Sequence, residues 1–343
     1  MFRAPPLHRT FTAALRDATS TSAPTRASAV RDLVAYVDED RPQVIAALEA
    51  ALGDASAHVR AAAAVGLADT RGVEALTKLL VAIEDDDAQV RQMALSALGE
   101  IGDPRARERL RRALSDQRPE VRFQALIAFS RVAPDEALDA LVSGMNDEDS
   151  AIRYIAVRCA EEHVADAPEP HSSFGSKLVA LLADSNAPVR AAAAIVLARS
   201  GHSAAVQTLL DVVGGRGGSV DGEDEAAAVE LIGDLGVERA IPMLERRAFG
   251  FFSFGQGAFS WQATVALAKM GHPRAKLRIV RDLGSWSRDR RTLAVAAAGR
   301  AKMVEARPLI AAMKGDARRA EPSAVDHTLS ELGEMNALPG AAT

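Results

Sequence analysis

One pattern recurs along this chain and constrains its fold more than any other feature: an aspartate, four intervening residues, Val or Ile, then Arg. It is read in "DASAHVRAAAAVGLADTRG", "DDDAQVRQMALSALGEIGDP", "DQRPEVRFQALIAFSRVAP", "DEDSAIRYIAVRCAEEHVA" and "DSNAPVRAAAAIVLARSGH". The apolar anchors fall at Val59, Val90, Val121, Ile152 and Val189, with spacings of 31, 31, 31 and 37 residues. Self-similarity at such a period means stacked supersecondary units, each too small to bury its apolar face alone.

Within one unit the periodicity is helical. Val90, Ala94, Leu95, Leu98 and Ile101 fall on one face, Gly102 stops the helix, and Asp103-Pro104 opens a second one through an N-cap and a Pro at the first helical position. Each unit therefore reads as a helical hairpin, and the fold class as all-α. Fainter copies, aligned on the small residue twelve positions after the anchor, place further anchors near Ser28, Asp224, Phe259, Asp289 and Glu321, for about ten units of roughly 31 residues. Residues 1–25 read as a capping helix and linker, 26–335 as the repeat array, degenerate from about 214 onward, and 336–343 as a tail.

These motifs resemble the short HEAT-like repeats of the phycobilin-lyase class, with their Asp, Val-Arg, Ala and Leu-Gly signature. The resemblance covers about residues 26–335 and implies a right-handed α-solenoid. It also implies that the recurring polar residues bond between successive units as a ladder: Asp54, Arg60, Asp85, Arg91, Asp116, Arg122, Asp147, Arg153, Asp184 and Arg190. An Asp at the turn before a helix has a role of its own, accepting N–H groups that the helix start leaves unpaired. The ladder pattern breaks further along, where Ser219 and Phe254 replace Asp, and Glu225 and Ser260 replace Arg. The break follows the Gly-rich insertion 214–222, expected to be a mobile surface loop. It also contains the Phe-rich junction 249–261, "FGFFSFGQGAFSW", which holds six of the fourteen aromatic residues. That junction reads either as an apolar plug or as an exposed patch for a partner.

Composition narrows the function. A net charge of −5 argues against a dedicated polyanion binder, a single cysteine, Cys159, excludes an internal disulfide, and no apolar run is long enough to span a bilayer. Together with an N-terminus lacking a signal-peptide core, these features lead us to expect a cytoplasmic protein. Motifs for nucleophilic, metal-dependent or phosphate chemistry are missing, so no catalytic residue, metal or cofactor is expected. Cys159, His163 and His171, beside Glu161 and Glu162, match no standard metal spacing. One basic concentration, Arg274, Lys276, Arg278, Arg281, Arg288, Arg290 and Arg291, is poorly diluted by acids and keeps a nucleic-acid reading open.

In the resembling family the Val-Arg helix lines the concave face of the solenoid, and position two after each anchor turns away from the packed stripe. This places Phe123, Tyr154 and Trp261 on a groove. With Arg158, Phe251 and Phe252 they are the candidate contacts for a protein or peptide partner, since aromatic and Arg side chains dominate interface energetics. The expected function is a non-enzymatic scaffold or adaptor in a bacterial regulatory or assembly system, as a monomer or weak dimer. Two alternatives stay open: a phycobilin-lyase-like enzyme subunit or chaperone, and a nucleic-acid binder using a basic patch.

Overall fold

The computed structural model describes residues 9–164, 172–250 and 257–336, and among them every regular element is helical. The chain divides into two compact units, residues 1–177 and 178–343. In order along the first unit run α1 (Phe11–Asp17), α2 (Ala23–Leu33), α3 (Arg41–Ala51), α4 (Ala57–Asp69), α5 (Leu76–Ala82), α6 (Ala88–Ile101), α7 (Arg107–Ala113), α8 (Pro119–Val132), α9 (Ala137–Gly144) and α10 (Ser150–Val164). Next comes α11 (Ser172–Leu181), and then α12 (Ala187–Arg199), α13 (Ala205–Val213), α14 (Gly222–Asp234), α15 (Ile241–Phe249), α16 (Gly257–Lys269), α17 (Pro273–Leu283), α18 (Arg288–Arg300), α19 (Arg307–Ala311) and α20 (Pro322–Asn336).

Each unit is an α-solenoid of helical hairpins in two layers. In the first, α2, α4, α6, α8 and α10 pack side by side, with α3, α5, α7 and α9 each laid on its own long partner. In the second, α12, α14, α16, α18 and α20 form the equivalent layer, backed by α13, α15, α17 and α19. The five anchors from Val59 to Val189 are all buried, because every long helix turns its apolar stripe toward both neighbours at once.

Small residues let the long helices approach closely. An added Cβ on Gly99 would lie 2.9 Å from the Ala128 Cα, and one on Gly233 would lie 2.7 Å from the Ala266 Cα. Backbone therefore meets backbone at these crossings, and the Gly of the Leu-Gly signature is a packing requirement. Gly102 has a different task. Its φ of 71° ends α6 in the left-handed conformation, from which Asp103 caps the following turn by accepting the Arg105 N–H at 2.9 Å.

The recurring aspartates sit two residues ahead of the helix N-caps. Asp54, Asp85, Asp116, Asp147 and Asp184 accept the N–H two positions on at 2.8 to 2.9 Å, closing the turn, while Ser56, Asp87 and Asn186 occupy the caps themselves. The Gly-rich segment makes contact with α12. Arg190 donates to the Gly217 carbonyl at 2.6 Å, and Gly218, at φ 93°, lies so close to Ala187 that a Cβ would come within 2.8 Å of it.

Candidate functional site

The polar residues that recur most regularly are engaged with one another. Arg60 binds Asp85 of the next hairpin through two N–H···O bonds of 2.8 and 2.7 Å, and Arg122 binds Asp147 through two of 2.8 Å. Arg60, Arg122 and Arg153 each donate further to the two backbone carbonyls at the start of their own turn, so one guanidinium staples its own loop and, in the first two cases, the following hairpin. Arg26 makes the same bidentate contact with Asp54 at 2.7 and 2.7 Å, which sets the anchor of this first repeat at Thr25, three residues before the expected Ser28, with Ser20 where the pattern has Asp.

Two expected rungs are rebuilt. Asp116 is bound by Arg118, two positions along, at 2.7 and 2.6 Å, so Arg91 reaches instead to Glu120 in the first turn of α8, at 2.9 Å. A neighbour in the same turn competes better for the carboxylate than a guanidinium from the next hairpin. Arg190 has the Gly217 carbonyl as its onward acceptor, where the earlier rungs have a carboxylate. Asp184 and Arg153 are also engaged.

Where the pattern breaks, the polarity of the contact reverses. Glu225, on α14 at the expected Arg position, pairs with Arg247 of the short helix α15 at 2.5 Å, and Arg247 also donates to the Val213 carbonyl at 2.9 Å. One repeat later the long helix carries Ser260. Arg278 of α17 donates to the Ala248 carbonyl at 2.6 Å, the Thr264 hydroxyl at 3.1 Å and the Ser260 hydroxyl at 3.4 Å.

Around Arg278 the second unit opens a pocket of about 700 Å³. Arg278 lies 5.6 Å from the Trp261 ring centre and 6.0 Å from that of Phe249. Phe249 also receives Arg274 at 4.7 Å and stacks on His272 at 6.3 Å. Arg281 and Arg290 complete the cationic lining and Leu277 and Leu293 the apolar one; Asp282, the one lining carboxylate among the described residues, pairs with Arg281 at 3.1 Å, and Glu245 stands 3.9 Å from Arg274. Burial lowers the Arg278 pKa, with Arg281 and Arg290 pushing the same way and the Asp282 charge only partly opposing them. On the other side of Trp261 and Leu293 lies a second depression of about 330 Å³, walled by the long helices α14, α16 and α18 alone.

Of the residues singled out in the sequence, Trp261 therefore lies on two adjoining pockets. Phe123 and Tyr154 are half-buried at matching positions of the neighbouring helices α8 and α10, and Arg158 pairs with Glu161 at 3.1 Å; all three belong to the other unit. Phe251, Phe252 and Phe254 fall outside the described residues, as does His171. Arg274 and Arg278 were visible only as part of a basic run. The helical spacing of Arg274, Arg278 and Arg281 opposite the buried Ala275, Ile279 and Leu283 was the signal that would have set them on one face beside Trp261.

The other concentrations of chemistry are quieter. Cys159 has its thiol pKa pushed up to about 11, chiefly by burial and then by Glu162, so it stays protonated. Among the described residues no three His, Cys, Asp or Glu side chains gather as a metal site would require. No helix among them is long and apolar enough to cross a membrane.

The two-layer array of hairpins, with its bonded arginines and aspartates, defines the class: an α-solenoid repeat protein. Comparison with known proteins narrows it. Residues 76–161 match the family model for HEAT repeats, and residues 189–214 match the one for the phycobilisome (PBS) lyase HEAT-like repeat. Over these two stretches the hairpins are thus HEAT-like repeats, the second of the PBS-lyase type. Among solved structures it is similar to YibA of Escherichia coli, at 20% identity over 75% of this chain and 91% of that one, with a TM-score of 0.54. It is also similar to the CpcE–CpcF complex of phycocyanin lyase from Nostoc sp. PCC7120, at 20% identity over 71% of this chain and 96% of that one, with a TM-score of 0.44. No curated protein matches the sequence significantly.

Proposed function

We propose that the chain is a non-catalytic scaffold of the bacterial cytoplasm that holds a protein or peptide partner. The observation that carries this reading is the pocket of the second unit, where Phe249, Trp261 and Leu293 form apolar walls around arginines. Aromatic and Arg side chains set in a concavity on rigid helices are the usual anchors of protein interfaces. The non-catalytic part is supported by the engagement of the recurring acids and arginines with each other, and by a Cys159 thiol held far from its thiolate.

Crosslinking in cells, followed by identification of the bound proteins, tests the reading. A partner captured by the wild type should be lost by Trp261→Ala at an unchanged melting temperature. An identical partner set in the two proteins would sink it.

A further inference from the structure

The equivalence of Arg247 and Arg278 goes further than pocket shape. They stand 31 residues apart on successive short helices, and each donates to a carbonyl at the end of the preceding short helix, Val213 or Ala248. Arg247 has Glu225 on the facing long helix at 2.5 Å. Arg278 faces hydroxyls, and its Nε and Nη2 have no hydrogen-bond partner among the described residues. A half-buried guanidinium is stable next to a carboxylate and costly without one. One repeat therefore supplies the anion internally, and the next leaves the same position open to the pocket.

We propose that this pocket receives an acidic segment of a partner protein, whose Asp or Glu carboxylate meets Arg278 as Glu225 meets Arg247 and whose apolar side chain rests on Trp261 and Leu293. The proposal rests on the scaffold reading and names the chemistry of the partner. Charge complementarity favours it: four arginines line the pocket, and although Arg274 pairs with Glu245 at 3.9 Å and Arg281 with Asp282 at 3.1 Å, Arg278 and Arg290 have no carboxylate partner among the described residues. The apolar lining is open to solvent, with Leu277 and Leu293 69% and 53% exposed, and Trp286, on the turn joining α17 to α18, is fully exposed. A chain segment can cover such an extent and a small carboxylate cannot. A phosphate backbone fits less well, because Lys276 and Arg288 of the basic run are paired with Glu305 and Glu321, and Arg291 is spent on backbone carbonyls. What remains is a pocket and not a basic track.

The full-length chain carrying Trp286→Phe leaves Trp261 as its only indole. It is titrated with a fluorescein-labelled peptide of alternating Glu, Phe and Leu, read by anisotropy and by Trp261 emission. We expect saturable binding with a shift in Trp261 emission. Binding should weaken at least tenfold with Arg290→Glu, at an exposed position, and with Ser260→Glu, which brings a carboxylate to Arg278 from a buried position and is read only with a circular-dichroism spectrum matching the wild type. The same peptide with Lys for Glu should not bind. No response to the acidic peptide, or full binding by Arg290→Glu, would overturn the proposal. An oligo-dT probe that binds more tightly than the peptide would make the site one for nucleic acid, and phenylacetate matching the peptide would make it a small-molecule site. If Trp261→Ala loses a crosslinked partner that Arg290→Glu and Ser260→Glu both keep, the acidic-segment proposal falls while the scaffold reading stands.

Discussion

Arg60 and Asp85 lie 25 positions apart and join successive hairpins through a two-pronged ion pair of 2.8 and 2.7 Å, with side chains 18% and 13% exposed. Fork-to-fork geometry fixes an angle as well as a distance, so the pair sets how one hairpin lies on the next.

Removing one member should be felt strongly, because the other is left partly desolvated without its opposite charge, and loss of Asp85 also leaves the Asp87 N–H without its acceptor. Asp85→Ala is expected to destabilise the protein by about 2 kcal/mol. Urea unfolding followed by circular dichroism measures this.

The same bonds make stability depend on acid. Hydrogen bonds from Arg26 and from Arg60 hold the Asp54 and Asp85 carboxylates below the usual range. At Asp147 burial opposes ionisation, yet the Arg122 and Asp149 contacts outweigh it and the shift is again downward. Groups with lowered folded pKa values contribute stability above the unfolded value of about 3.9, and that contribution is lost as pH falls through the lowered ones. Melting temperature should be flat from neutral pH down to about 5 and then fall, less steeply in Asp85→Asn than in the wild type.

Close approach of the long helices gives a steric prediction. Gly233→Val must push α14 away from the Ala266 backbone, against a 2.7 Å contact for the first added carbon, and is expected to cost about 2 kcal/mol or more. A cavity-free surface substitution such as Leu309→Ala on the short helix α19 should cost far less in the same denaturation assay.

Arg190 anchors the Gly-rich segment through Gly217 at 2.6 Å. Arg190→Ala should release it, and trypsin should then cut after the exposed Arg216 several times faster than in the wild type, as followed by mass spectrometry of the fragments.

Much of the fold was legible in the chain because its signals repeat: the anchors at Val59, Val90, Val121, Ile152 and Val189 mark one helix each, and Gly102 with Asp103 and Pro104 marks a hairpin turn. The rungs were legible in kind but not in partner. Arg118 takes Asp116 from Arg91, a competition inside one turn that no repeat spacing encodes. The pocket was harder still. Trp261 came from register, whereas Arg278 gains its meaning only from three-dimensional equivalence with Arg247, and that equivalence runs through a backbone carbonyl whose position is set by packing.

Cys159 offers a chemical check. With a thiol pKa near 11, the folded protein should react with Ellman's reagent at mild alkaline pH at least tenfold more slowly than free cysteine, and reaction should reach the normal rate on unfolding.

The division of the chain also sorts its natural chromophores. Both tyrosines, Tyr36 and Tyr154, fall in the first unit, and both tryptophans, Trp261 and Trp286, in the second. Light that excites indole alone reads one unit, and phenol emission reads the other, without any label. A denaturation curve recorded in the two channels of a single unmodified sample thus shows directly whether the halves come apart together or in turn.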